Sequence, residues 1–230
     1  MKKGCVLLLV IPFLCSCSGR VISNEDAYKI VNNFETKLEQ TTTFAYYERK
    51  AISETSSTKT VTFYQVFFQE NFIHSYTINE DYDVSTNNSA VEQWTFIRDG
   101  MIYEVTTDNS EQSSKGKIYN AYTYEKELWE GIMKNQFEEV KKTNVMYYIR
   151  LKNELRNIDD KVKITSRSKN ESSLNEKIET TNLDGKIIRT KLYNFEESLI
   201  TEINEKDDYS TKLVTFKYHV TTQEVMYPEF

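Results

Sequence analysis

Three cysteines lie within the first seventeen residues, and a cysteine thiolate is a strong nucleophile. Cys17 lies in the small-residue stretch 15–19, and the apolar run 6–14 precedes that stretch after two lysines. This order of positive charge, apolar run and small residues is typical of an export signal. Because a membrane-spanning helix needs about 20 apolar residues, the run is too short for a permanent span. We therefore predict that residues 1–16 are a cleaved signal peptide.

Leu14, Cys15, Ser16 and Cys17 resemble the lipobox of bacterial lipoproteins, in which a leucine, a variable residue and a small residue precede a modified cysteine. The resemblance implies cleavage after Ser16 and a thioether-linked diacylglycerol, with palmitate-type chains, on Cys17. Two acyl chains are enough for stable anchoring, at roughly 0.8 kcal/mol per buried methylene. Cys15 departs from the usual Ala or Ser. The implied location is the bacterial cell envelope, outside the cytoplasm; the alternative is a secretory signal that leaves Cys17 as a free thiol.

The cysteine positions also limit how the mature chain can be stabilised. Cleavage would remove Cys5 and Cys15, and lipid would consume Cys17, so no thiol would remain for a disulfide, a metal site or catalysis. Stability must then come from a hydrophobic core. We expect residues 17–22 to be a lipid-anchored linker and residues 23–230 to form a single α+β domain.

Two histidines, His74 and His219, are the other candidates for acid–base or metal chemistry. Each lies in an alternating strand pattern, and the sequence has neither an HExxH zinc motif nor a GxSxG nucleophile motif. Adjacent acids such as Asp159 and Asp160 point to different sides of a strand or helix, which does not suit a paired-carboxylate mechanism. We therefore expect no enzyme activity, no metal and no cofactor.

The charge of the chain argues against nucleic acid as a partner. The formal net charge is −6, and it becomes about −8 when Lys2 and Lys3 leave with the signal. A negative chain repels phosphate backbones, and no basic stripe interleaved with aromatic residues stands out. Sixteen Tyr and twelve Phe, with only six Gly and two Pro, instead favour regular strands.

A helix is predicted to begin at Ser23, because Ser23 and Asp26 have the spacing of a capping box. One apolar stripe follows at helical intervals, formed by Ala27, Ile30, Val31, Phe34 and Leu38. From residue 44 to residue 107 the apolar residues alternate, which indicates strands, and Asp99-Gly100 predicts a hairpin turn between two of them.

In the second half of the sequence the apolar residues again change from helical spacing to the alternation of strands. Residues 124–157 have helical spacing and predict two helices broken near Thr143-Asn144. Strand patterns then continue to residue 222, with a second hairpin turn at Asp184-Gly185. Blocks of strands separated from helices favour an α+β fold: a curved, mainly antiparallel, unclosed β-barrel-like sheet, with an N-terminal helix and a central helix pair packed on it.

The order of elements, the aromatic strands and the lipobox together resemble the extracytoplasmic carriers of the LolA, LppX and LprG type over about residues 23–228. That resemblance implies an unclosed barrel with helices in its hollow, and an apolar cavity that carries acyl chains or whole lipoproteins. It supplies no site residues.

Aromatic and aliphatic side chains from both periodic regions are candidates to line such a cavity, although residues at these spacings also build ordinary cores. The candidates are Phe34, Leu38, Phe63, Trp94, Phe96, Trp129 and Phe137. The expected function is a membrane-anchored, non-enzymatic lipoprotein that binds a hydrophobic ligand such as an acyl chain. The alternative is a surface-interaction or structural lipoprotein with a filled core, which recognises a protein or a glycan.

Overall fold

The computed structural model describes residues 19–82, 89–108, 117–218, 225, 227 and 228. The predicted signal peptide, the lipidation site Cys17 and His219 lie outside the described residues.

Two helices occur in the described part of the chain: α1 spans Asn24–Gln40 and α2 spans Lys126–Arg156. The predicted start of α1 is confirmed, because Ser23 Oγ accepts a 3.1 Å hydrogen bond from Asp26 N. The Asp26 carboxylate in turn lies 2.7 Å from the Ser23 hydroxyl. This cap fixes where the first helix begins.

The prediction of two central helices is wrong, because α2 continues without a break through Thr143 and Asn144. Asn144 is fully buried, and its amide is satisfied inside the fold. Its Nδ2 donates to Val140 O (2.9 Å), and its Oδ1 accepts from Tyr218 OH (3.1 Å). A residue type that tends to interrupt helices therefore stabilises this one through tertiary contacts.

Within the described residues, twelve strands form one sheet. In chain order they are β1 (Arg20–Ile22), β2 (Tyr46–Thr55), β3 (Thr58–Phe67), β4 (Phe72–Asp81), β5 (Ser89–Arg98), β6 (Met101–Asp108), β7 (Lys117–Thr123), β8 (Val162–Ser168), β9 (Leu174–Thr181), β10 (Ile187–Glu196), β11 (Leu199–Asp207) and β12 (Ser210–Tyr218). Strand β1 falls in the segment predicted as a linker and pairs with β8.

The order across the sheet is β1-β8-β9-β10-β11-β12-β2-β3-β4-β5-β6-β7, and every neighbouring pair is antiparallel. For the residues described, β1 and β7 are the two edges and do not pair with each other, so the curved sheet is unclosed. The predicted α+β class with an antiparallel, unclosed sheet is confirmed.

The predicted hairpin between β5 and β6 is also confirmed. Asp99 and Gly100 connect the strands with φ angles of 50° and 73°, the positive values that a primed turn requires. Asp184 and Gly185 lie in the turn between β9 and β10, where Gly185 has a φ of 76°. Both turns place consecutive strands side by side.

The sheet has two faces, and both helices cover one of them, which we call the helical face. The largest cluster of buried side chains, the main core, lies on this face under α1 and the second half of α2. A smaller cluster lies under the first half of α2 and is formed by Val66, Ile73, Ile102, Trp129 and Met133. With 31 residues and a rise of 1.5 Å each, α2 is about 46 Å long and reaches both clusters.

The opposite face, which we call the outer face, carries its own aromatic cluster. Its buried members are Tyr46, Phe67, Phe72, Phe96 and Val105. Tyr227, near the end of the chain, places its ring against Phe72 and Phe96, at centroid distances of 5.4 and 5.2 Å.

Candidate functional site

Two of the predicted cavity residues, Phe34 and Leu38, lie on α1 in the main core. The Phe34 ring packs against Phe195 of β10 at a centroid distance of 5.6 Å, and both helix residues are essentially inaccessible to solvent. In this structure they attach α1 to the sheet.

Three others, Phe63, Trp94 and Phe96, lie on the outer face, away from the helices. Phe96 is buried in the outer aromatic cluster. The Phe63 ring stacks on Tyr76 at 4.8 Å, and the Trp94 ring stacks on His74 at 5.3 Å. The sheet therefore separates these three side chains from Phe34 and Leu38.

The remaining two, Trp129 and Phe137, lie on α2. Trp129 is buried, and its indole Nε1 donates a 2.6 Å hydrogen bond to Asn71 Oδ1. Phe137 contacts Phe44 and Phe68 and borders a groove of about 440 Å³ between α2 and the end of α1. The seven candidates thus occupy several separate places in the fold.

His74 belongs to a row of hydrogen-bonded polar side chains on the outer face. Gln65 Nε2 lies 2.8 Å from His74 Nδ1, and His74 Nε2 lies 2.6 Å from Glu92 Oε1. Since the Gln65 amide nitrogen can only donate, Nδ1 accepts and Nε2–H donates to Glu92. Both ring nitrogens are occupied, and Trp94 covers one ring face, which fits a structural role.

The largest opening that we describe is a groove of about 760 Å³ along the second half of α2, which we call the α2 groove; Met146, Tyr147 and Ile149 give it an apolar stretch. Its lining residues recur at intervals of three or four along the helix, and one strand residue completes it. They are Thr143, Met146, Tyr147, Ile149, Arg150, Asn153, Glu154, Asn157 and Lys212. Met146 is 60% exposed and Ile149 is 37% exposed, so two large apolar side chains border the groove with much of their surface uncovered.

The charged wall of the α2 groove is formed by Arg150 and Glu154 of α2, which pair with each other and with residues of the sheet. Arg150 lies 3.6 Å from a Glu154 carboxylate oxygen and 3.5 Å from Glu205. Lys191 forms an ion pair with Glu154, and Tyr193 OH donates to Glu154 Oε2 at 3.0 Å. Burial lowers the pKa of Lys191, an effect that the Glu154 contact opposes. These contacts stabilise the wall and leave the apolar stretch at Met146 and Ile149 open.

A smaller cavity of about 210 Å³, which we call the Arg49 pocket, lies between α2 and strands β2 and β3. Its lining side chains are mostly polar: Tyr47, Arg49, Tyr64, Gln136, Glu139, Val140 and Thr143. Alternation along β2 places Tyr47 and Arg49 on the helical face, and the register sets Arg49 opposite Tyr64. Tyr64 OH donates to Gln136 Oε1, which joins the sheet to the helix.

Two residues that line the Arg49 pocket each have a buried polar atom without a hydrogen-bond partner among the described residues: Tyr47 OH and Arg49 Nε. Asn144 lies near Tyr47 and lowers the pKa of its hydroxyl slightly, but the contacts of its amide with good hydrogen-bond geometry are to Tyr218 and Val140. Burial raises the pKa of Tyr47, and the neighbouring Arg49 charge opposes only part of that effect. The Tyr47 hydroxyl therefore stays protonated and able to donate at neutral pH.

The α2 groove and the Arg49 pocket are neighbours, because Thr143 lines both. Residues 136, 139, 140 and 143 continue the same flank of α2 that residues 146, 147, 150, 153 and 154 form further along. The Arg49 pocket and the α2 groove, with its apolar stretch, therefore lie end to end beside one helix.

Sequence reasoning did not identify this site. Along α2, the exposed apolar residues Met146 and Ile149 form a second apolar stripe beside the buried residues Tyr148 and Leu151. This second stripe was the sequence signal that could have indicated the groove. Tyr47 and Arg49 line one pocket with Thr143 because of how α2 lies on the sheet, and no local sequence pattern encodes that position.

No group of three or more metal-ligating side chains occurs in the described residues. In the same part of the chain, neither helix is long and apolar enough to cross a membrane.

Comparison with known proteins gives no family assignment. No protein-family model matches the sequence, and no curated protein matches it either. Among solved structures, the crystal structure of LprF from Mycobacterium bovis is similar, with a TM-score of 0.39 and 9% sequence identity. The similarity covers 86% of this chain and 95% of the LprF chain.

Proposed function

We propose that this chain is an extracytoplasmic lipoprotein, anchored through lipid on Cys17, that binds the alkyl chain of a hydrophobic ligand in the α2 groove without transforming it. The observation that carries the proposal is the open apolar stretch at Met146 and Ile149 in a groove of about 760 Å³. That volume falls in the range of roughly 300–1,000 Å³ that ligand sites occupy.

Hydrophobic transfer supplies the driving force for this binding. Each methylene that leaves water contributes about 0.8 kcal/mol, so a chain of several methylenes can offset the entropy lost on association. The charged wall at Arg150 and Glu154 is already paired, so an alkyl chain need not disrupt it.

Photo-crosslinking tests the groove directly. The intact chain, held in phosphatidylcholine vesicles, is irradiated with a diazirine-bearing fatty acid, and the crosslinked peptides are identified by mass spectrometry. We expect labelling in the segment from Met146 to Arg150, competed by unlabelled palmitate. Ile149→Asp places a charge in the groove and should abolish this labelling.

Leu183→Asp is the matched control, because Leu183 is 89% exposed in the turn between β9 and β10 and borders none of the pockets described. It should leave labelling unchanged. Labelling that spreads evenly over the surface, or that survives Ile149→Asp, would exclude the α2 groove and favour the interaction lipoprotein with a filled core.

The anchor has its own test. Radiolabelled palmitate supplied to cells should be incorporated into the wild-type chain and not into Cys17→Ala. Equal incorporation into both chains would contradict lipidation at Cys17.

A further inference from the structure

We propose that the ligand of the α2 groove is an amphipathic anion, whose carboxylate or phosphate head group binds in the Arg49 pocket while its alkyl chain lies along the groove. This inference rests on the proposed function and adds the chemical class of the ligand.

Two hydrogen-bond donors beside the Arg49 pocket are unsatisfied by the described residues. Tyr47 is 1% exposed, yet its hydroxyl has no hydrogen-bond partner within the described residues, and the same holds for Arg49 Nε. Buried polar groups in native proteins are nearly always satisfied, and leaving one unpaired lowers stability. Both residues line the Arg49 pocket, and two donors without partners match the chemistry of an oxyanion, which only accepts.

The charge of Arg49 also favours an anionic ligand. Arg49 is half-buried and forms no ion pair with any residue that the structure describes. Glu139 is the one acid among the residues that line the pocket, and it is mostly exposed and lies 3.9 Å from Lys142. Arg49 thus lines the pocket without an ion-pair partner among the described residues, and a planar carboxylate or a phosphate matches the donor geometry of a guanidinium.

The size of the Arg49 pocket and its position next to the α2 groove suit a ligand with a head group and a chain. The pocket's volume of about 210 Å³ is many times what one water molecule needs, and it suits a head group of a few heavy atoms. Thr143 borders both the pocket and the groove. A ligand with an oxyanion at one end and an alkyl chain at the other would occupy both cavities at once.

The test is a competition series against the diazirine fatty acid on the intact chain in vesicles. The competitors are decanoate, decyl phosphate and decanol, which share a chain length, and acetate and inorganic phosphate, which have the charge alone. We expect the two ten-carbon anions to compete at about tenfold lower concentration than decanol. Acetate and inorganic phosphate should not compete at the concentrations where decanoate does.

Two substitutions locate the head group. Arg49→Met and Tyr47→Phe should each raise the decanoate concentration needed for half-competition, by about tenfold and several-fold respectively, with little effect on decanol. Lys50→Met removes one positive charge from the outer face of β2. It should change neither the decanoate nor the decanol concentration needed for half-competition. Tyr47→Phe keeps the ring, so it remains informative if Arg49→Met does not fold.

The outcomes separate the two proposals. If decanol and decanoate compete equally and Arg49→Met has no effect, the groove binds alkyl chains, but the anionic head group is excluded. If acetate or inorganic phosphate competes as well as decanoate, the pocket is a free-anion site and the amphipathic ligand is excluded. If no ten-carbon competitor acts, the proposed function fails, and this inference fails with it.

Discussion

Ser166 Oγ donates a 2.7 Å hydrogen bond to Glu176 Oε2 between neighbouring strands β8 and β9, and both side chains are buried. The other carboxylate oxygen of Glu176 has no partner in the described part of the chain. Burial raises the pKa of Glu176 from 4.5 to about 7, and the Ser166 hydrogen bond opposes only part of this shift. One acid in the core therefore titrates near neutral pH.

Glu176→Gln should stabilise the protein in a pH-dependent way. Because the folded-state pKa is raised, the folded state binds the proton more tightly than the unfolded state between pH 4.5 and about 7. The free energy of unfolding therefore falls as pH rises through this window, relative to a neutral side chain. The advantage of Glu176→Gln should grow from near zero at pH 4.5 to about 3 kcal/mol at pH 8, as measured by urea unfolding.

Glu196→Gln, an exposed substitution at the end of β10, is the control and should show no such trend. A stability difference between Glu176→Gln and wild type that stays constant from pH 4.5 to pH 8 would contradict the raised pKa.

Tyr47→Phe should stabilise the ligand-free protein, whereas Tyr64→Phe should destabilise it. The Tyr47 hydroxyl is buried without a partner, so its removal relieves a desolvation cost of about 1 kcal/mol. The Tyr64 hydroxyl donates to Gln136, so its removal loses a hydrogen bond of about 1 kcal/mol. Chemical unfolding of the two variants should shift in opposite directions. Equal destabilisation of both would indicate that Tyr47 has a partner when no ligand is bound.

Leu151→Ala and Met146→Ala distinguish the two faces of α2. Leu151 is buried in the main core, so truncation should lower the free energy of unfolding by about 2–5 kcal/mol. Met146 borders the open groove, so Met146→Ala should change stability by less than about 0.5 kcal/mol. The midpoints of urea unfolding measure both changes. A large loss for Met146→Ala would mean that its side chain is covered, which contradicts an open groove.

Gly100→Ala and Gly131→Ala should have effects of opposite sign. Gly100 has a φ of 73°, so an alanine there is strained although no atom lies within 4 Å of the added Cβ, and we expect a loss of about 1–2 kcal/mol. Gly131 lies inside α2, also with open space around a Cβ, so alanine should stabilise the helix by about 0.5–1 kcal/mol. Thermal unfolding of the two variants gives the comparison. A stabilised Gly100→Ala would contradict the positive φ in the β5–β6 turn.

Features set by neighbouring residues could be predicted from the sequence. The cap at Ser23 needs only Asp26 three residues away, and the hairpin at Asp99-Gly100 needs only two residues that tolerate positive φ. The alternation of apolar residues was enough to indicate strands. Each of these signals is contained within one element or one turn.

Features set by distant contacts could not be predicted in this way. The continuity of α2 at Asn144 depends on a hydrogen bond from Tyr218, which comes from the last described strand. The Arg49 pocket likewise requires β2 to lie in the middle of the sheet, between β12 and β3, with α2 across it. Neither arrangement follows from periodicity, because both depend on the order of strands and the position of the helix.

The length of α2 has a consequence for how the protein unfolds. Trp129 and Met133 belong to the smaller cluster on the helical face, and Tyr148, Leu151 and Leu155 belong to the main core. A single continuous helix therefore contributes buried side chains to both clusters. Neither half of the sheet can lose its packing without exposing part of the helix that the other half stabilises. The two clusters are therefore expected to melt together, in one cooperative transition.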